Sequence, residues 1–285
     1  MSAFVARLRV AGVTVGLRVR GPFDPERFRH RFGPYEVARD RAPLDGSVDL
    51  QIDPHARLID YPDVPYPGVR SYVAPGGVKL VREGLAMWLG DDGRAEARVL
   101  GPAKWPPLSY GEDGGPAETP LRLLVSLRLL AGGQGALFHA TGRLDARGAV
   151  LFVGQSGAGK TTLAMALPPG EVLSDDQVAL RLGAGVTLAS TPFVGVLGRT
   201  VAPCEGPLRA IVVLDHERRG QLRPLDPSAR LGALLGCLPL YARSAPLARA
   251  ALAVVARLDR VPVLGGSFDR VEGVGPWLAR LDALI

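Results

Sequence analysis

The chain has 285 residues, of which 47% are hydrophobic and 22% charged, and its formal net charge is +6. It is long enough for two modest hydrophobic cores, and its most apolar stretches contain arginine, so we expect a soluble, two-domain protein without a membrane-spanning helix. The first residues alternate apolar and basic side chains instead of forming the apolar block of a signal peptide, and the two cysteines are far apart in sequence, so the sequence predicts a cytoplasmic protein.

The N-terminal part of the chain predicts a small, mostly antiparallel α+β domain. Residues 4–10 and 13–19 alternate apolar and polar side chains around the turn Ala11-Gly12, which predicts an antiparallel hairpin with Thr14 on its polar face. The other elements predicted here are a helix at 24–32, a strand at 47–52 and a meander over 69–100 with turns at 75–77 and 91–93.

A proline- and glycine-rich stretch over residues 101–120 predicts the domain boundary. It separates an N-terminal domain, residues 1–117, from a nucleotide-binding domain, residues 118–285. In the second domain, helical and strand patterns alternate, which predicts an α/β fold. Predicted helices cover 121–131, 160–167, 228–238, 247–258 and 276–284, and predicted strands cover 137–141, 149–153, 172–173, 178–182, 186–189 and 210–214. The last helix is predicted to be amphipathic, with Trp277, Leu278, Leu281 and Leu284 on one face.

One glycine-rich run has the GxxxxGK[ST] spacing of a phosphate-binding loop. In this spacing backbone N–H groups turn toward the phosphates, Lys160 spans the β- and γ-phosphates, and Thr161 offers its hydroxyl to Mg²⁺. An apolar strand precedes the run and a helix-forming segment follows it, as the motif requires. The sequence therefore predicts that ATP binds to Gly154, Gln155, Ser156, Gly157, Ala158, Gly159, Lys160, Thr161 and Thr162.

Two acidic sites are candidates for the carboxylate that contacts Mg²⁺. One is Asp215, which follows the apolar run Ala-Ile-Val-Val-Leu; the other is the adjacent pair Asp175 and Asp176. Spacing alone leaves the choice open. In the pair, one carboxylate can contact the metal while its neighbour accepts the proton of an attacking hydroxyl.

Three segments occur in a characteristic order: Phe138-His139-Ala140, the glycine-rich run, and Leu173-Ser174-Asp175-Asp176-x-Val178. In this order they resemble the catalytic domain of the HPr kinase/phosphorylase family and its serine-kinase relatives, over about residues 135–285. The resemblance implies a P-loop kinase domain of that type after a smaller domain. It also implies that Asp175 is the general base, that Asp176 and Thr161 contact Mg²⁺, and that His139 tunes the carboxylates or the transferred phosphate.

The chain also departs from that family. The family's second signature, an acidic residue followed by Arg-Gly-x-Gly, is reduced here to Leu197-Gly198-Arg199, which argues against the reverse phosphorylase activity and against HPr as the substrate. Arg199 is then either a phosphate contact or a solvated loop residue. The segment 131–135 is similar to the signature of ABC-type ATPases but precedes the phosphate loop, and the absence of asparagine excludes a GTPase base-reading motif.

These features predict an ATP- and Mg²⁺-dependent kinase that acts on a serine-like hydroxyl of a protein, a peptide or a small molecule. The alternative is a non-catalytic nucleotide-sensing or interaction protein that retains the fold. The basic residues are scattered, without a run rich in lysine or arginine, so neither a nucleic acid nor a membrane is expected as a partner. A homo-oligomer is compatible with this prediction.

Overall fold

The computed structural model describes residues 3–38, 43–53, 70–74, 76–82, 85–90, 94–100, 115–195, 197–199, 201–239, 245–269 and 271–285. The chain divides into two compact units, Met1–Arg128 with Ala242–Ala245, and Leu129–Tyr241 with Pro246–Ile285. Most of the predicted linker lies outside the described residues, so the domain boundary predicted after residue 117 stays a prediction. The predicted turn at 91–93 also lies outside them. None of the helices in the described residues has the length and apolar character needed to cross a membrane.

The first unit contains one mixed sheet. Its strands are β1 (Phe4–Val10), β2 (Val13–Arg20), β3 (Gly46–Asp53), β4 (Arg70–Ala74), β5 (Gly77–Arg82), β6 (Leu85–Gly90) and β7 (Arg94–Leu100). They lie in the order β1-β2-β3-β7-β6-β5-β4. The predicted hairpin β1–β2 and the meander β4–β7 are antiparallel, whereas β3 runs parallel to both β2 and β7. A sheet that is mostly antiparallel was predicted correctly, but the parallel position of β3 was not.

The helix α1 (Pro25–Phe32) begins where the sequence predicted it, after Asp24. The Asp24 carboxylate accepts the backbone N–H groups of Glu26 and Arg27 at 3.0 and 3.1 Å, which stabilises the first turn. In β2 the predicted apolar face is buried, but Thr14 is buried as well, contrary to the prediction. Its backbone N–H donates to Asp45 Oδ2 at 2.7 Å, so the segment before β3 covers this side of the hairpin.

The helix α2 (Glu118–Ala131) ends before Gly132-Gly133, as predicted. The described part of the second unit contains eight strands and four further helices. These are β8 (Gly135–Asp145), β9 (Gly148–Val153), α3 (Lys160–Ala166), β10 (Val172–Ser174), β11 (Gln177–Leu182), β12 (Val186–Ala189), β13 (Glu205–Arg219), β14 (Leu222–Pro224), α4 (Pro227–Gly236), α5 (Ala245–Ala256), β15 (Val263–Ser267) and α6 (Val274–Leu284). The mixed α/β class is therefore as predicted.

Strand β9 lies between an antiparallel neighbour, β8, and a parallel neighbour, β13. The long strands β8 and β13 change partners along their length: β8 also pairs with β11, and β13 also pairs with β12 and β15. Because β11 pairs with β12, the strands β8, β11, β12, β13 and β9 form a closed five-stranded barrel. The sequence did not predict this closure, since pairing partners that are distant in the chain leave no local pattern.

The helices α3 and α6 contribute to one hydrophobic core with β9, β13 and β15. At its centre Trp277 is fully buried, with ring centroids 6.2 Å from Phe152 and 6.1 Å from Phe268. Leu281 is also fully buried, whereas Leu284 is 62% exposed, so the burial of this helix ends before Leu284. It is the last residue of α6 and lies past the core.

Strands β14 and β15 were not predicted. The sequence of β15, Val-Leu-Gly-Gly-Ser, has no alternation of apolar and polar side chains, and two glycines weaken any strand pattern. Its five residues are nevertheless buried between β13 and β14.

Candidate functional site

Residues 154–161, called the phosphate loop below, join β9 to α3. All residues of β9 are buried, and its last residue, Val153, pairs with Ala140 on one side and Val213 on the other. The helix α3 begins at Lys160, so the last two residues of the phosphate loop form the start of its first turn. The arrangement of strand, loop and helix that the motif requires is therefore present, and the strand end that carries the loop is fixed by two neighbours.

The backbone of the phosphate loop requires glycine at particular positions. Gly159 has φ of 99°, in the left-handed region that a side chain disfavours. A side chain on Gly154 would place its Cβ 2.9 Å from the Cβ of Ala158 and 3.0 Å from the carbonyl oxygen of Leu214. The loop tip, residues 155–157, is exposed. A ligand can thus reach the tip, while the base of the loop packs tightly.

Lys160, the first residue of α3, is only 6% exposed. Its Nζ donates to the carbonyl oxygens of Gly154 at 2.7 Å and of Gln155 at 3.0 Å, so the ammonium lies on the inner side of the loop. Burial lowers the pKa of Lys160, while the nearby Cys237 and Asp176 oppose that shift. A bound phosphate would offer this desolvated ammonium a charged acceptor in place of neutral carbonyls.

Among the described residues, no group of three or more His, Cys, Asp or Glu side chains could hold a metal ion. Mg²⁺ commonly binds through one or two carboxylates together with phosphate oxygens and water. Thr161, which is partly buried in the first turn of α3, and one nearby carboxylate therefore suffice as protein ligands when a nucleotide supplies the phosphates.

The register of the sheet brings His139 and the acid pair Asp175-Asp176 together. His139 of β8 pairs with Gln177, the first residue of β11, and the acid pair directly precedes that residue. His139 Nδ1 lies 2.7 Å from Asp176 Oδ1, with the two side chains 46% and 18% exposed. The structure thus brings the histidine and the second acid into contact, and the charge of Asp176 raises the pKa of Lys160 against the effect of burial.

Asp175 points in a different direction from Asp176. It is 7% exposed, and both of its carboxylate oxygens accept backbone N–H groups: Oδ1 from Gly195 at 2.8 Å and Oδ2 from Leu197 at 2.8 Å. The two adjacent acids therefore have different partners, as the predicted division of labour requires. One of the two donors, Leu197, belongs to the segment Leu197-Gly198-Arg199 that the sequence analysis compared with the second family signature, whereas the contact with Gly195 was not predicted.

The other acidic candidate, Asp215, lies one residue beyond Leu214 on β13. Because Val213 pairs in parallel with Val153, Asp215 is next to the strand end from which the phosphate loop starts. Sheet topology thus places both acidic candidates beside the loop, on opposite sides of β9. Arg199 is partly buried, and its buried Nη1 has no hydrogen-bond partner among the residues that the structure describes.

Two residues next to Lys160 carried no sequence signal. Thr141 of β8 donates its hydroxyl to the carbonyl oxygen of Lys160 at 3.2 Å, which ties the first turn of α3 to the sheet. Cys237, at the end of α4, is 8% exposed; burial raises the pKa of its thiol, while the N–H of Gly154 and the charge of Lys160 oppose the shift. Neither residue belongs to a motif, so only the fold reveals that they contact this site.

Comparison with the profiles of known protein families gives no match, and comparison with curated proteins gives none either.

Proposed function

We propose that the chain is an ATP-dependent phosphotransferase similar to the HPr kinase-related serine kinases, and that it transfers the γ-phosphate to a serine-like hydroxyl. The observation that supports this most strongly is the position of Lys160. Its buried ammonium lies against the carbonyls of a GxxxxGK[ST] loop and within electrostatic reach of Asp176, which in turn contacts His139.

In this proposal the phosphate loop binds the triphosphate. Backbone N–H groups of the loop and of the first turn of α3 point toward the phosphate oxygens, and Lys160 exchanges its two carbonyl partners for oxygens of the β- and γ-phosphates. Thr161 and Asp176 hold Mg²⁺, which neutralises part of the negative charge on the phosphates. His139 fixes the orientation of Asp176 through the contact between Nδ1 and Oδ1.

The chemical step is a transfer between two oxygens. The acceptor hydroxyl oxygen forms a bond to the γ-phosphorus, the bond from that phosphorus to the bridging oxygen breaks, and ADP leaves. The hydroxyl proton passes to Asp175, the residue that the family resemblance assigns to this role. A carboxylate oxygen has two lone pairs, so each oxygen of Asp175 can accept this proton in addition to its backbone N–H.

A second candidate function is a nucleotide sensor without catalysis. It is favoured by the engagement of both Asp175 oxygens with backbone N–H groups, which is a structural use of the carboxylate. Such a protein would bind Mg²⁺-ATP through the same loop and would transfer no phosphate.

Radiolabelled ATP distinguishes the two functions. The purified protein with Mg²⁺ and [γ-³²P]ATP is incubated with hydroxyl-bearing candidates: free serine, peptides that contain serine, and proteins encoded near its gene. The kinase is expected to label an acceptor, and the Lys160→Ala variant is expected to lose that labelling. Binding of ATP without labelling of any acceptor would instead support the sensor.

A further inference from the structure

A short segment after β12, residues 191–195, lies against the acid pair and is called the strap below. Two hydroxyls attach it to the strands that carry the acids. Thr191 Oγ1 donates to the carbonyl oxygen of Gln177 at 2.6 Å, and Ser174 Oγ donates to the carbonyl oxygen of Phe193 at 3.2 Å. All five residues of the strap are buried. The strap is thus a fixed part of the fold next to the candidate site.

The same hydroxyl of Ser174 also organises the backbone of the acid pair. It accepts the N–H groups of Asp176 at 3.2 Å and Gln177 at 3.1 Å. Ser174 therefore links the strap to the peptide units that orient Asp176. A displacement of the strap would disturb the hydrogen bonds that hold the backbone of Asp176.

The closest approach between the strap and the acids is at Gly195. A side chain there would place its Cβ 3.0 Å from the Cβ of Asp176 and 3.1 Å from Oδ2 of Asp175, so only glycine fits without a shift. The N–H of Gly195 donates to Asp175 at 2.8 Å. Buried backbone N–H groups need partners, and the Asp175 carboxylate is the partner of this one.

We propose that the strap is a positioning element for the acid pair, and that Asp175 fastens it. By accepting the N–H groups of Gly195 and Leu197, Asp175 keeps the strap packed on Asp176, and Asp176 keeps its direction toward His139. The inference rests on the proposed function for its catalytic meaning, and it gives Asp175 a positioning role in addition to proton transfer.

The test perturbs the strap and leaves every acid in place. Gly195→Ala places a Cβ against both acids, so that the strap or the acid side chains must shift by a few tenths of an ångström, and Thr191→Val removes a hydroxyl of the strap. Gly170→Ala is the matched control, because a Cβ at that position has nothing within 4 Å. The readouts are amide hydrogen exchange over residues 190–197 without nucleotide, and ATP affinity with and without Mg²⁺.

The full-length strap variants are expected to exchange faster in this segment and to lose about tenfold or more of the Mg²⁺-dependent gain in ATP affinity, as residues that orient metal ligands usually do. Their ATP affinity without metal, and both readouts for Gly170→Ala, are expected to match the parent. In the Asp176→Asn background, Gly195→Ala should cause no further loss of the Mg²⁺-dependent gain, because the strap acts through Asp176.

The proposal would be overturned if both strap variants showed the hydrogen exchange and the Mg²⁺-dependent gain in ATP affinity of the parent. It would also be overturned if Gly195→Ala lowered that gain as strongly in the Asp176→Asn background as in the parent. Hydrogen exchange also separates this inference from the proposed function. If the parent protein binds no ATP, the kinase proposal fails, yet faster exchange over the strap in Asp175→Asn would still show that Asp175 fastens it. Unchanged exchange in that variant would refute the fastening.

Discussion

The substitution Lys160→Ala tests the assignment of the phosphate loop most directly. In the structure the ammonium is 6% exposed and bonded to two loop carbonyls, those of Gly154 and Gln155. Removal of the side chain leaves these carbonyls at the edge of an exposed loop tip, where water can replace the lost donor. The variant is therefore expected to fold, and its defect should appear in nucleotide binding.

The size of that defect follows from the contact that is lost. A hydrogen bond to a charged partner contributes about 1.5–3 kcal/mol, and each 1.4 kcal/mol changes an affinity about tenfold. Lys160 must release two carbonyl oxygens before it contacts phosphate, so we expect the lower part of this range. ATP should bind about 10- to 30-fold more weakly to Lys160→Ala than to the parent, whereas AMP, which lacks the β- and γ-phosphates, should bind equally to both.

Titration calorimetry with ATP and AMP measures both affinities, and circular dichroism confirms that the variant is folded. Lys79→Ala is a suitable control, because Lys79 is an exposed lysine of β5 in the other unit. Unchanged ATP affinity in a folded Lys160→Ala protein would refute the phosphate-loop assignment and, with it, the proposed function.

Three further predictions concern the acids and the cysteines. Asp176→Asn should reduce the Mg²⁺-dependent gain in ATP affinity about tenfold while Asp215→Asn leaves it nearly intact, and calorimetry that gave the opposite ranking would assign the metal to Asp215. Asp175→Asn should keep the metal-free ATP affinity of the parent and lose about 10²–10⁴-fold in single-turnover transfer at saturating Mg²⁺-ATP, so retention of most of the rate would exclude it as the proton acceptor. Because burial raises the pKa of the Cys237 thiol, iodoacetamide should modify exposed Cys204 first and Cys237 slowly, and more slowly still with ATP; equal rates by mass spectrometry would contradict this.

Local patterns predicted most of the elements, whereas long-range pairing escaped them. The hairpin β1–β2 was predictable because its strands alternate around a two-residue turn in which both Ala11 and Gly12 have positive φ, as the twist of a hairpin favours. The parallel neighbours of β3 and the barrel closure depend on strands far apart in the chain. The alternation of apolar and polar residues in one strand does not identify the strand with which it pairs. The prediction that Thr14 lies on an exposed polar face failed for the same reason, since its backbone N–H bonds Asp45, a residue distant in the chain.

In the candidate site, the phosphate loop was predictable because phosphate binding itself requires the spacing of its glycines, lysine and threonine. The acids were harder to assign, since Asp215 and Asp176 both follow apolar runs and only the register shows where each lies. The strap could not have been predicted at all. Its contacts are hydrogen bonds from hydroxyls and backbone groups, and segments with such contacts have no periodicity that a sequence reveals.

Strand β8 connects the phosphate loop with the acid pair. This strand pairs with β9 through residues 140–145 and with β11 through residues 135–139, so one strand spans the distance between the phosphate loop and the acid pair. His139 lies where the pairing changes from one partner to the other, and Thr141, two residues further, bonds the carbonyl of Lys160. The phosphate loop and the acid pair are therefore both held by short contacts to one strand of the barrel.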